Sequence, residues 1–260
     1  MTRRAAKKAI KRSGKQVSDD RDSMPDNVRV LFEDGWSPMQ SLEGPSDTGQ
    51  RDQKFRKNVR AQNDAQKKFF QLVSDHSVVF AVGPAGTGKT YVAVAKAVEA
   101  LEAGRVGRIV LSRPAVEAGE NLGYLPGDME DKLSPYLRPL YDALTDRLSA
   151  KKVRSLMAEG VIEVAPIAFM RGRTLNNAFV VIDEAQNCTY AQLKMLLTRL
   201  GWHSTMVVTG DPEQSDLLPG VSGLKDITNK LEEVEGIGVC RFSRTDVVRH
   251  PLVASMIEHI

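Results

Sequence analysis

From about residue 58 onward, hydrophobic positions fall into two alternating patterns. Short, mainly apolar runs at 78–82 (Val-Val-Phe-Ala-Val), 108–112, 161–165, 179–182, 205–209 and 237–242 read as strands, the first of them continuous enough to be buried on both faces. Helical spacing fills the intervals. Ala65, Phe69, Leu72 and Val73 mark a first helix, and a second runs from Lys89 to about Ala103. A third, Met129 to about Ala150, is expected in pieces because Pro135 and Pro139 interrupt it. Thr189 to Leu200 carries Leu193, Leu196, Leu197 and Leu200 on one face, and a last helix spans about Gly223 to Val234. Strands separated by helices predict right-handed crossovers, hence an α/β fold with a parallel sheet and helices on both faces.

Residues 1–57 break that pattern. They are charged and rich in Ser, Gly and Pro, and read as a basic, flexible N-terminal extension ahead of a folded domain at 58–260. The first fifteen residues hold Arg3, Arg4, Lys7, Lys8, Lys11, Arg12 and Lys15 and no acid, which suits either a solvated arm or a nucleic-acid contact. The net charge of +3 is too small to argue for nucleic acid by itself. Cys188 and Cys240 lack the paired spacing of metal or redox sites, so a reducing cytoplasm and no structural zinc are expected. No run approaches the ~18–20 apolar residues of a membrane span, and a soluble cytoplasmic protein is expected.

The chemistry begins at residues 83–90. Gly83, Pro84, Ala85, Gly86, Thr87, Gly88, Lys89 and Thr90 fit G-x-x-x-x-G-K-[ST], with an apolar strand before them and an amphipathic helix after. The glycines let backbone N–H groups turn inward around a triphosphate, and the helix presents its positive end. In this pattern Lys89 reaches the β- and γ-phosphates and the Thr90 hydroxyl ligates Mg²⁺. These eight residues and the following Tyr91 are the candidate nucleotide contacts.

Ligands of such sheets collect where strands end. After 179–182 come Asp183 and Glu184. Asp183 suits the metal's hydration shell and Glu184 is placed to polarise an attacking water, although acids here also suit a helix cap. A carboxylate next to the metal acid favours hydrolysis. After 205–208 come Thr209, Gly210, Asp211, Pro212, Glu213 and Gln214, where Gln214 is the candidate γ-phosphate sensor, with Thr209 and Asp211 as support; a plain Gly-Asp-Pro turn is the other reading. After 108–111 comes Arg113, which either touches a nucleic-acid phosphate or pairs with a nearby acid.

In this order, the phosphate loop, DEAQ (183–186) and TGD-x-x-Q (209–214) resemble the first motor lobe of superfamily-one helicases. The chain resembles the PhoH family of cytoplasmic ATPases more closely, through GPAGTGKTYVAVAKAVEAL (83–101), SRPAVEAGENLGYLPGDMEDKLSPYLRPLYDAL (112–144), IEVAPIAFMRGRTLNNAFVVIDEAQN (162–187), TGDPEQSDL (209–217) and DVVRHPLV (246–253). The resemblance implies a RecA-like P-loop NTPase lobe, ATP and Mg²⁺ as ligands, RNA or single-stranded nucleic acid as partner, and self-association into a ring, a hexamer being favoured. By the helicase likeness, Gln66 matches the glutamine that reads adenine, which favours ATP; a surface glutamine is the alternative. The residues after Asp211 are too few for the second lobe that supplies an arginine in such helicases. Arg249 and Arg173 are the candidates for that charge, in cis or from a neighbouring subunit. No nuclease domain is fused at the N-terminus, and RNA cleavage is not expected.

Two other classes compete with the ATPase. A small-metabolite kinase of the phosphate-loop type predicts an arginine-rich lid, and 112–144 holds few arginines. A GTPase predicts Asn-Lys-x-Asp after a strand, whereas Asn229-Lys230-Leu231-Glu232 ends in Glu and falls in a predicted helix.

Overall fold

The computed structural model describes residues 59–114 and 129–248. Six strands, β1 (Val78–Val82), β2 (Arg108–Arg113), β3 (Ile162–Pro166), β4 (Ala178–Ile182), β5 (Thr205–Gly210) and β6 (Ile237–Arg241), form one parallel sheet in the order β3-β2-β4-β5-β1-β6. All five residues of β1 and of β4 are buried, as the unbroken apolar runs require.

Because side chains alternate along a strand, each strand feeds two cores. Val79, Ala81, Ile109, Leu111, Val181 and Val207 point into the layer built by α1 (Asp64–Asp75), α2 (Lys89–Glu102), α3 (Met129–Thr145) and α4 (Ala150–Ala158), where Phe69, Val94, Leu140 and Val153 are fully buried. Phe80, Val110, Val180, Ile182 and Val208 face the opposite layer, with Leu193 and Leu196 of α5 (Tyr190–Leu197) and Leu224 and Ile227 of α6 (Leu224–Leu231). Helices therefore cover both faces.

Two helices differ from expectation. The segment through Pro135 and Pro139 is one continuous helix, α3, and not separate pieces. An interior proline costs about 3 kcal/mol, but Leu137, Leu140, Tyr141 and Leu144 are buried on one side of α3, at ~1.5–3 kcal/mol for each large apolar side chain. Pro139 lies exposed on the other side. The sequence pattern also did not indicate α4, a short helix capped by Ser149, whose side chain accepts from the N–H of Lys152 at 3.2 Å. Only Val153 of α4 is fully buried, so its apolar signal is weak.

Strand register decides what meets at the carboxyl edge. Ile182 pairs with Val208, which puts Asp183 level with Thr209; Ser112 pairs with Ile182, which puts Arg113 beside Asp183 and Glu184; Val82 pairs with Gly210, which puts the 83–90 loop beside Asp211.

Candidate active site

The loop leaving β1 turns at once into α2. Gly83 has φ +139°, and a Cβ there would run into the backbone of Phe242; Gly88 has φ +83° and a Cβ would meet the Gln66 amide at 2.9 Å. Both positions therefore need glycine, for conformation and for space. The first turn of α2 carries no side-chain cap, so its amide donors face the cleft. Lys89 is buried, and its Nζ donates to the carbonyls of Gly83 at 2.5 Å and Pro84 at 2.7 Å. Burial pushes its ammonium pKa below the ordinary lysine value, against an upward pull from Asp211, Glu184 and Asp183. Thr87 is buried and closes the loop internally through Pro84 O at 3.0 Å.

Asp183 is the hub opposite. Its backbone N–H donates to Ser112 O at 2.8 Å, which locks it to β2. Its Oδ1 accepts from Thr90 Oγ1 at 2.7 Å and from Thr209 Oγ1 at 2.6 Å, so phosphate loop, β4 and β5 converge on one oxygen. Oδ2 lies 3.9 Å from Arg113 Nη1. Glu184 adopts φ +52°, a left-handed conformation that costs a non-glycine residue ~1–3 kcal/mol and turns its carboxylate toward Arg113, 3.2 Å away. Neither acid caps a helix by its side chain; α5 is capped by Thr189 in a capping box with Gln192.

The turn after β5 is organised by Asp211, whose carboxylate accepts from the N–H of Glu213 at 3.1 Å and whose carbonyl accepts from that of Gln214 at 3.0 Å. Gln214 is exposed and lines a cleft of about 290 Å³ with Lys89, Thr90, Tyr91, Asp183 and Glu184. A recess of about 450 Å³ opens across Gly83 and Pro84, beside Lys225, Arg241 and Arg244. It holds none of Lys89, Thr90, Asp183 and Glu184, all of which line the smaller cleft.

Two expected site residues are placed differently. Gln66 is buried and held by the protein: its Nε2 donates to Thr87 O at 3.0 Å and its Oε1 accepts from the N–H of Gln62 at 2.9 Å. It braces the loop and does not present its amide to a base. Arg173 is held by Glu163 on the edge strand β3 in a two-bond pair of 2.5 and 2.6 Å, does not line the cleft, and so is not placed to supply charge to its own subunit's site. Arg249 lies outside the described residues; Val248, the residue before it, donates its N–H to Gly86 O at 2.9 Å. Asn229 and Lys230 lie within α6, where no guanine-reading loop exists, and Lys230 sits over the Tyr190 ring.

Sequence reasoning missed Gln186, the last residue of DEAQ, which is buried and links Glu184 to Asp211. Nor did it indicate the path of the segment that follows β6. Phe242 donates to Val82 O at 2.7 Å, and Asn63 Nδ2 donates to Asp246 O at 3.0 Å, so residues 242–248 lie across the start of the loop.

The geometry is that of a RecA-like phosphate-loop NTPase. The family model described as PhoH-like protein matches residues 58–260. The chain belongs to the PhoH family. It is 55% identical over 203 residues to a PhoH-like protein of Bacillus subtilis (strain 168), covering 78% of this chain and 64% of the relative. Protein PhoH of Escherichia coli (strain K12) is 46% identical over 205 residues, covering 78% of this chain and 58% of that protein. The chain thus matches less than two thirds of the length of these PhoH relatives. Among solved structures, the large terminase from a thermophilic bacteriophage overlays on 75% of this chain and 49% of its own, with a TM-score of 0.49 at 14% identity. Among the described residues no helix is long and apolar enough to cross a membrane.

Proposed function

We propose that this PhoH-family chain is a Mg²⁺-dependent ATP hydrolase that acts in the cytoplasm on RNA or single-stranded nucleic acid, as a helicase-like oligomeric motor. The observation that carries the hydrolase reading is the 2.7 Å bond between Thr90 and Asp183, which assembles both halves of a nucleotide site across the sheet. The donor set fits Mg²⁺: a hydroxyl and a carboxylate are hard oxygen ligands, and the protein offers few of them, as suits a metal held jointly with substrate phosphates. Among the described residues no cluster of three His, Cys, Asp or Glu stands ready to hold a metal alone. Thr90 and Asp183 would hold the metal, which when bound would supply positive charge to offset that of the triphosphate.

The chain's residues do the rest. The loop amides and Lys89 hold the phosphates, with Lys89 exchanging its two carbonyl partners for phosphate oxygens. Glu184 takes a proton from water as its oxygen bonds to the γ-phosphorus and the bond to the β-phosphate oxygen breaks, releasing ADP and phosphate. Gln214, exposed in the cleft, senses the γ-phosphate. Arg249 supplies the charge that completes the site, from this lobe or, in a ring, from the neighbouring subunit. The hexamer and the nucleic-acid partner rest on family likeness. Phosphate release from ATP and Mg²⁺, with and without single-stranded RNA, tests the reading: RNA-stimulated release is expected, RNA-independent release leaves the ATPase alone, and none in either condition overturns it.

A further inference from the structure

Glu184 is held on both of its oxygens. Oε1 accepts from Arg113 Nη2 at 3.2 Å and Oε2 from Gln186 Nε2 at 2.5 Å. Neither donor is loosely placed. Arg113 ends β2, is half-buried, and leans also on Asp183 Oδ2 at 3.9 Å. Gln186 is 3% exposed, and its Oε1 accepts the N–H of Asp211 at 3.0 Å. The left-handed backbone of Glu184 holds the carboxylate between them.

A general base must turn a lone pair toward the water it deprotonates. A carboxylate gripped by a guanidinium on one oxygen and an amide on the other is fixed in direction, with its charge shared with the cation. We propose that Arg113 and Gln186 are positioning residues that clamp Glu184 away from the attacking water, so that opening this clamp sets the rate of hydrolysis. The inference rests on the reading of Glu184 as the base.

The grip is released from the Gln186 side. A γ-phosphate entering the cleft meets Gln214, on the turn that Asp211 organises, and the N–H of Asp211 is the group that holds Gln186. A shift of residues 211–214 therefore reaches Glu184 through one side chain.

The test uses the full chain and its Arg113→Gln, Arg113→Lys and Arg113→Gln/Glu184→Gln variants, assayed for ATP hydrolysis without nucleic acid. Glu184 and Arg113 are partly exposed, so a modest effect is expected: Arg113→Gln raises kcat about three- to tenfold with little change in KM, and Arg113→Lys restores much of the restraint. The double variant shows no gain, because the effect passes through Glu184. A fall or no change in kcat for Arg113→Gln overturns the clamp while leaving the ATPase intact. A second readout is independent of turnover: carbodiimide coupling of Glu184, followed by peptide mass spectrometry on protein without added nucleotide, is expected to be at least about threefold faster in Arg113→Gln than in wild type or Arg113→Lys. Equal coupling rates overturn the clamp even where no variant hydrolyses ATP.

Discussion

Thr90 and Asp183, 93 residues apart in sequence, share a hydrogen bond of 2.7 Å at the edge where β1 and β4 end. Asp183 is 2% exposed and takes a second hydroxyl from Thr209, so the bond is a fixed part of the sheet edge. Asp183→Ala leaves two buried or half-buried hydroxyls without their acceptor and removes the carboxylate from the metal site. Loss of about 1–3 kcal/mol of stability and of measurable Mg²⁺-dependent hydrolysis is expected, read by thermal unfolding and phosphate release. Thr90→Ser keeps the bond and is expected to retain most activity.

Lys89 holds two loop carbonyls at the cost of burying its charge. Its pKa lies below the ordinary lysine value because burial penalises the charge, so at pH 7 the folded protein carries that penalty and the unfolded chain does not. Lys89→Met removes the charge at similar length. Nucleotide binding is expected to collapse while the thermal midpoint at pH 7 shifts little, because relief of the burial penalty is offset by loss of the bonds to the Gly83 and Pro84 carbonyls. The unfolded chain binds the extra proton between the lowered folded value and 10.5, so wild-type stability gains on the variant as pH rises through that window. Unfolding midpoints of both proteins across that pH range check the sign.

Gln66 braces the loop through Thr87 O, beside Gly88. Gln66→Ala is therefore expected to weaken ATP and GTP binding by similar factors, since both share the triphosphate, and to lower stability by ~1–3 kcal/mol through the unsatisfied Thr87 carbonyl. Titration with both nucleotides decides: a loss confined to ATP returns Gln66 to reading adenine.

The Arg173–Glu163 pair lowers the Glu163 pKa, chiefly by the hydrogen bond from Arg173. Its stabilisation is present above the ordinary glutamate range and is lost as pH falls through the lowered folded value. Both side chains are about a third exposed, so Arg173→Ala is expected to cost about 1 kcal/mol or less at pH 7. Turnover measured on the variant alone is expected to match wild type; a loss of turnover at unchanged stability would restore Arg173 as a charge supplied to a neighbouring site.

What the sequence disclosed follows the range of the forces involved. The phosphate loop and the β1 and β4 runs were legible because eight adjacent residues, or one unbroken apolar stretch, carry the whole signal. Pro135 and Pro139 misled because their local penalty is outweighed by burial of Leu140 and Leu144 against partners distant in sequence. The pairing of Arg113 with Glu184 depends on β2 lying next to β4, a neighbourhood that strand–helix alternation leaves open. Gln66 carried a helicase-like spacing, but its burial and its bond to Thr87 arise from how α1 packs, which spacing does not report. The crossing of residues 242–248 over the loop rests largely on backbone N–H groups, of Phe242 on Val82 O and of Val248 on Gly86 O, which any residue type can supply.

The central claim is that Glu184 activates water in the cleft that Lys89, Thr90 and Asp183 build. Single-turnover phosphate release from bound ATP and Mg²⁺, compared between wild type and Glu184→Gln after ATP binding has been measured for both, addresses it most directly. Glu184→Gln is expected to bind ATP as wild type does and to release phosphate at least about a hundredfold more slowly. Equal release rates in the two proteins would contradict the account.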